Sequence, residues 1–221
     1  MTGAPDFTLV QLPVPNQARS QQALERLLAA GETLLANNRF EEASVAEVAQ
    51  VAESSVGSFY RLLGDKDTLS LYLLQRFIQQ VAAAANTLVA AGAACANLEQ
   101  GVQLLVDTYV SIHIGHRGVM RALILRASRS SEFRDKVHQL NHHISASAQA
   151  CLRPFIKEVC HRQPQQAVAA GVHMVLGALN QHTVTGSLGG LQQAQLQAEL
   201  GHLLYAYLHT PRAQSKTPGR R

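Results

Sequence analysis

The sequence predicts an all-α protein of about nine helices, with a three-helix unit at its N-terminal end fused to a larger helical body. Three observations point there. Ala, Leu and Gln, all good helix formers, are abundant, while strand-type alternating runs are missing. Apolar residues recur at spacings of three and four along most of the chain, the stripe of a helix with one buried face. At 221 residues and 47% hydrophobic, the chain can bury one large core or two fused helical domains.

Residues 1–16 hold three prolines and no helical period, so a disordered arm is expected. A first helix then spans about 17–37, with an apolar stretch from Leu24 to Leu35. Val45, Val48, Ala49 and Ala52 form the buried stripe of a second helix, and Ser44 with Glu47 three residues on is a helix-start signature. After a turn near 51–53, Ser54 or Ser55 caps a third helix through Gly57, Ser58, Phe59 and Tyr60. Two helices this short cannot stand alone in water and must pack on the first. The result is a helix-turn-helix whose second helix shows the small, polar and aromatic surface suited to reading DNA.

Asp65 caps a fourth helix that runs past Phe77 into the alanines at 82–85, and a loop is expected over 90–97. Helices follow at about 98–114 and 119–129, with Gly115 and Gly118 bracketing the break. A long helix is expected over 132–160, kinked or ended by Pro154. Pro164 opens the next, to about 185. After a loop at 186–190, a last helix covers 191–208, and Pro211 ends the fold before a basic tail, 211–221.

Residues 17–72 resemble the DNA-binding domain of the TetR family of transcriptional regulators. The resemblance rests on Leu27-Leu28-Ala29-Ala30, Ser44-Val45, Ser55-Val56-Gly57-Ser58-Phe59-Tyr60, and Lys66-Asp67 with Leu69, in the family's order and spacing. The chain departs from the pattern at Arg39 and Glu53, where glycines are usual, and at Val56, often a base. Leu63 replaces a common aromatic. The resemblance implies a helix-turn-helix domain over 17–66, an effector-binding and dimerisation domain over 67–210, and a homodimeric repressor released from a palindromic operator by a small molecule. DNA contacts are expected from Ser44, Ser55, Gly57, Ser58, Phe59, Tyr60, Arg61 and Lys66.

In such proteins the last two helices of each subunit form a four-helix dimer interface. Here Val168, Val172, Val175 and Leu179 would join Leu196, Leu200, Leu203 and Tyr207 in it. Between the fourth helix and these two, Tyr109, His113, His116, Met120, Ile124, His142, Met174 and Asn180 mix apolar walls with polar tips, the recipe for a small-molecule pocket. A mainly apolar effector is expected.

Charge alone argues differently. From 17 to 67, Arg19, Arg26, Arg39, Arg61 and Lys66 face Glu25, Glu32, Glu41, Glu42, Glu47, Glu53, Asp65 and Asp67, a formal −3. The chain's excess of +4 equals what Arg212, Lys216, Arg220 and Arg221 of the tail carry. A helical ligand- or partner-binding protein whose helix-turn-helix no longer binds DNA is therefore the alternative reading. His138, His142 and Cys151 have metal-binding chemistry but form no dense Cys/His cluster, so neither metal nor cofactor is expected. No Ser-His-Asp spacing, carboxylate pair or phosphate loop suggests an enzyme. Three cysteines without CxxC spacing, no signal peptide and no membrane-spanning run imply a cytoplasmic protein.

Overall fold

The computed structural model describes residues 15, 17–186 and 190–210. Most of the N-terminal arm, part of the 186–190 loop and the basic tail lie outside them. Among the described residues are nine α-helices and no strand: α1 (Ala18–Ala36), α2 (Val45–Val51), α3 (Val56–Leu63), α4 (Lys66–Gly92), α5 (Leu98–Gly115), α6 (Arg117–Arg129), α7 (Ser131–Leu152), α8 (Pro164–Thr185) and α9 (Gln193–His209). None is long and apolar enough to cross a membrane.

The seventh helix stops at Leu152, ended by Pro154 as the sequence allowed, rather than running to 160. Pro154 lacks the N–H that the α pattern needs, and a 3-10 turn over Arg153–Glu158 takes its place. Side-chain caps begin several helices. The Ser44, Ser55, Asp65 and Asn97 side chains each accept a backbone N–H three residues on, at 3.2, 3.1, 2.7 and 2.9 Å. The Thr68 N–H that Asp65 accepts also holds its carboxyl below the usual carboxylate range.

Helices α1–α3 close around Leu27, Leu34, Val48 and Phe59. The long α4 leaves this unit and packs along α7, while α5 lies against α9, and α8 fills the space between α7 and α9. Helix α6 belongs to both halves. It crosses α1 so closely that a Cβ placed on Gly118 would stand 2.3 Å from the backbone C and O of Leu35. Beside that crossing, Arg121 Nη1 donates to Asn38 Oδ1 at 3.0 Å. One turn further, Arg126 grips Asp67 of α4 with two hydrogen bonds, 2.5 and 3.1 Å, and lies 4.7 Å over the Phe133 ring. Arg76 of α4 adds a 2.5 Å bond to Glu25 of α1.

The Gly118 contact is against backbone, which cannot rotate aside. Gly118→Ala is expected to destabilise the protein by about 2 kcal/mol in denaturant unfolding, since overpacking of this kind costs 1–3 kcal/mol. Gly115→Ala, with nothing within 4 Å of the added methyl, should be neutral or stabilising by up to about 1 kcal/mol.

Candidate nucleic-acid interface and ligand pocket

The turn from α2 to α3 sets the exposed face. Glu53, where the family pattern has glycine, adopts a left-handed φ of 48°, and Asn38 takes the corresponding position after α1 at 56°. Ser55 then caps α3, its Oγ also donating to Ser58 Oγ at 3.0 Å. Along α3 the side chains separate by role. Phe59 is fully buried among α1 and α2, so it holds the helix in place and offers no surface to DNA, contrary to the contact expected of it. Tyr60 is 54% exposed and meets the Phe59 ring edge-on at 5.8 Å. Val56, Gly57, Tyr60 and Arg61 form the outward face, with Ser58 half-buried at its margin. Ser44 is exposed at the start of α2.

Lys66 is a second correction. Its Nζ donates to the carbonyls of Phe40, Glu41 and Ala43 at 2.8, 2.8 and 3.0 Å, and lies 5.2 Å over the Phe40 ring. An ammonium has three donors, and all are committed. Lys66 ties the loop before α2 to the start of α4 and has none left for a phosphate.

The cations facing outward are elsewhere. A cleft of about 780 Å³ between the start of α1 and α3 is lined by Arg19, Arg26 and Arg61 together with Glu53, Ser54, Ser55, Gly57 and Ser58. Arg19 and Arg26 are seven apart on one helix, hence on one face, a spacing visible in the sequence though absent from the expected site. Four of the eight acids behind the formal −3 are paired. Glu47 pairs with Arg39, Glu25 and Glu32 with Arg76, and Asp67 with Arg126. Two of these partners, Arg76 and Arg126, lie outside 17–67 and so escape a count over the motif alone.

In the larger body a cavity of about 50 Å³ lies among α4–α8. Tyr109, His113, Met120, Ile124 and Asn180 line it as expected, joined by Leu123, Leu140, Asn141, Ile144 and Leu176. The other three expected residues do not. His116 caps α6 beside the Phe77 ring at 5.5 Å. His142 is exposed on α7, and Met174 is 47% exposed on the outer side of α8. Within the cavity wall, the Tyr109 hydroxyl donates to the Ile144 carbonyl at 3.3 Å, and burial pushes its pKa up. His113 Nδ1 donates to the Tyr109 carbonyl at 2.8 Å, and Nε2 lies 3.4 Å from Asn180 Oδ1. Burial holds its pKa below 6.5. Among the described residues no three His, Cys, Asp or Glu side chains come together in a way that could hold a metal ion.

The stripe assigned to a dimer interface is mostly internal. Val168, Val172, Val175, Leu179, Leu196 and Leu200 are all buried within one chain, where α8 and α9 pack on each other and on α5. Tyr207 is half-buried beside His161 at 4.9 Å. Leu203, at 53%, is exposed.

The sequence of residues 97–208 matches the family described as Tetracyclin repressor-like, C-terminal domain. No curated protein sequence matches the chain. Solved structures share its fold. One is a protein of Mesorhizobium loti assigned to the TetR-family transcriptional regulators, 18% identical, with a TM-score of 0.69 over 87% of this chain and 98% of that one. PfmR of Thermus thermophilus, a TetR-family transcriptional regulator, is 15% identical with a TM-score of 0.61 over 90% and 100%. The transcriptional regulator FadR of Bacillus subtilis, solved in complex with stearoyl-CoA, is 17% identical with a TM-score of 0.61 over 84% and 99%.

Two outcomes test this geometry. Lys66→Met leaves three carbonyls without their donor and should destabilise the N-terminal unit by about 2 kcal/mol, read by thermal and denaturant unfolding. His113 gives a pH signature. Its folded-state pKa lies below the 6.5 of the unfolded chain, so below about pH 6.5 the unfolded state takes up the proton first and stability is lost as pH falls. His113→Leu should lose less melting temperature than the parent between pH 7.5 and pH 5.

Proposed function

The chain belongs to the TetR family of transcriptional regulators, and from that premise we propose that it is a homodimeric repressor released from a palindromic operator by a small, mainly apolar effector. The observation that carries this reading is the double duty of α6. Met120, Leu123 and Ile124 form one wall of the cavity, while Gly118, Arg121 and Arg126 of the same helix hold α1 and α4. The closed cavity is far smaller than the 300–1,000 Å³ of ordinary ligand sites. An occupant must push α6 or α7 outward, and an α6 so tightly locked to α1 carries the N-terminal unit with it. FadR was solved with stearoyl-CoA; a molecule of that size is out of scale with the cavity here, which favours a compact effector.

On the DNA side, the exposed Tyr60, Gly57 and Val56 of α3 would enter the major groove, with Arg19, Arg26 and Arg61 holding phosphates beside them. The reading in which the motif no longer grips DNA rests on net charge and on Val56, and the placement of those three arginines together beside α3 speaks against it. Reading a palindrome requires a second copy. The exposed apolar residues Met174 and Val184 of α8 and Leu203 of α9 mark the face where we place it. The protein then acts in the cytoplasm, where its operator is.

Binding to DNA from the protein's own upstream region tests the first half. Tyr60→Ala should weaken it by about 1–3 kcal/mol, and Arg26→Ala should weaken it on all sequences while lowering the salt slope by about one unit. Wild-type affinity in both variants would place the contact surface elsewhere. The dimer face separates from the core by two neighbours. Leu203→Glu should leave a folded monomer in sedimentation, whereas Leu204→Glu buries a charge at a fully enclosed position and should unfold the chain. Effector coupling should amount to about 1–3 kcal/mol in operator affinity, and Arg126→Ala should reduce it.

A further inference from the structure

The cavity's hydrogen-bonding inventory restricts what chemistry can enter it. No Asp, Glu, Lys or Arg lines it, so an ion brought inside would lie without a counter-charge. The Tyr109 hydroxyl is committed to the Ile144 carbonyl. His113 donates from Nδ1 to the Tyr109 carbonyl, which fixes the tautomer of the neutral ring and leaves a lone pair on Nε2. That lone pair faces the Asn180 side-chain oxygen across 3.4 Å, two acceptors with no hydrogen between them. Either the Asn180 amide turns over to supply one, or a ligand does. Asn141 of α7, which also lines the cavity, offers a further amide.

Resting on the effector reading above, we propose that the ligand of this cavity is an uncharged, compact, mainly hydrocarbon molecule carrying a hydroxyl, which donates to His113 Nε2 and accepts from the amide of Asn180 or Asn141. A ketone, ester, thioester or ether brings no donor to Nε2. A carboxylate brings a charge that nothing in the wall matches.

The test uses the full chain at pH 8 and three probes that share one ring: cyclohexanol, cyclohexanone and cyclohexanecarboxylate. Affinities are read by calorimetry and thermal shift. Cyclohexanol should bind about tenfold more tightly than cyclohexanone, the value of one hydrogen bond, and the carboxylate should not bind measurably. His113→Leu should abolish the preference for the alcohol over the ketone while keeping the ring's apolar contacts. Asn180→Leu, in case the first variant folds poorly, should narrow the same preference. A ketone that binds as well as the alcohol, a carboxylate that binds, or no binding of any probe would each overturn the proposal. Operator affinity with cyclohexanol bound is read separately. If the alcohol is preferred but DNA affinity does not change, the ligand class stands and the repressor-release reading falls.

Discussion

The close crossing of α6 over the end of α1 is the constraint on which the rest of the molecule depends. At Gly118 two backbones meet with no room for a methyl group, and backbone against backbone is the least compliant contact a protein offers. Beside it Arg121 donates to the carboxamide of Asn38, and further along α6 Arg126 ties the helix to Asp67 of α4 through both Nη atoms. The N-terminal unit is therefore not a bead on a flexible string. It is packed directly against α6, the helix that also lines the cavity.

Much of this was legible in the chain, for reasons that differ by element. The helix-turn-helix was readable because its signals are local: Ser44 and Ser55 cap within three residues, and the stripe through Val48 and Ala49 is short-range. Most helix boundaries were equally local, Pro154 ending α7 among them, but Gly118, expected in the break before α6, lies inside that helix. Five of the eight pocket residues were found because polar tips on otherwise apolar helices are uncommon. Met174 and His142 were misplaced because helices apolar on more than one side do not announce which side faces inward.

The same ambiguity explains the dimer stripe. The strongest apolar periodicity of α8 and α9 marks the face buried within the chain, and the weaker one carrying Met174, Val184 and Leu203 is left to solvent. Lys66 and Phe59 could not be resolved by type, since an ammonium that satisfies three orphan carbonyls and one that waits for phosphate are spelled alike. A charge count over the motif alone misses the partners of Glu25 and Asp67, which come from beyond it.

Glu53 and Asn38 hold left-handed backbone where glycine would rest without strain. A glycine there would also sample many other conformations, in the folded turn as well as in the unfolded chain. With a side chain at Glu53 the bend between α2 and α3 has few alternatives to choose from, and Asn38 restrains the exit from α1 in the same way. The free protein thus keeps its recognition helix close to a single pose, and little ordering entropy remains to be lost when that helix docks. Stiffness of the turn, more than the number of contacts along α3, would then set how sharply one sequence is told from another.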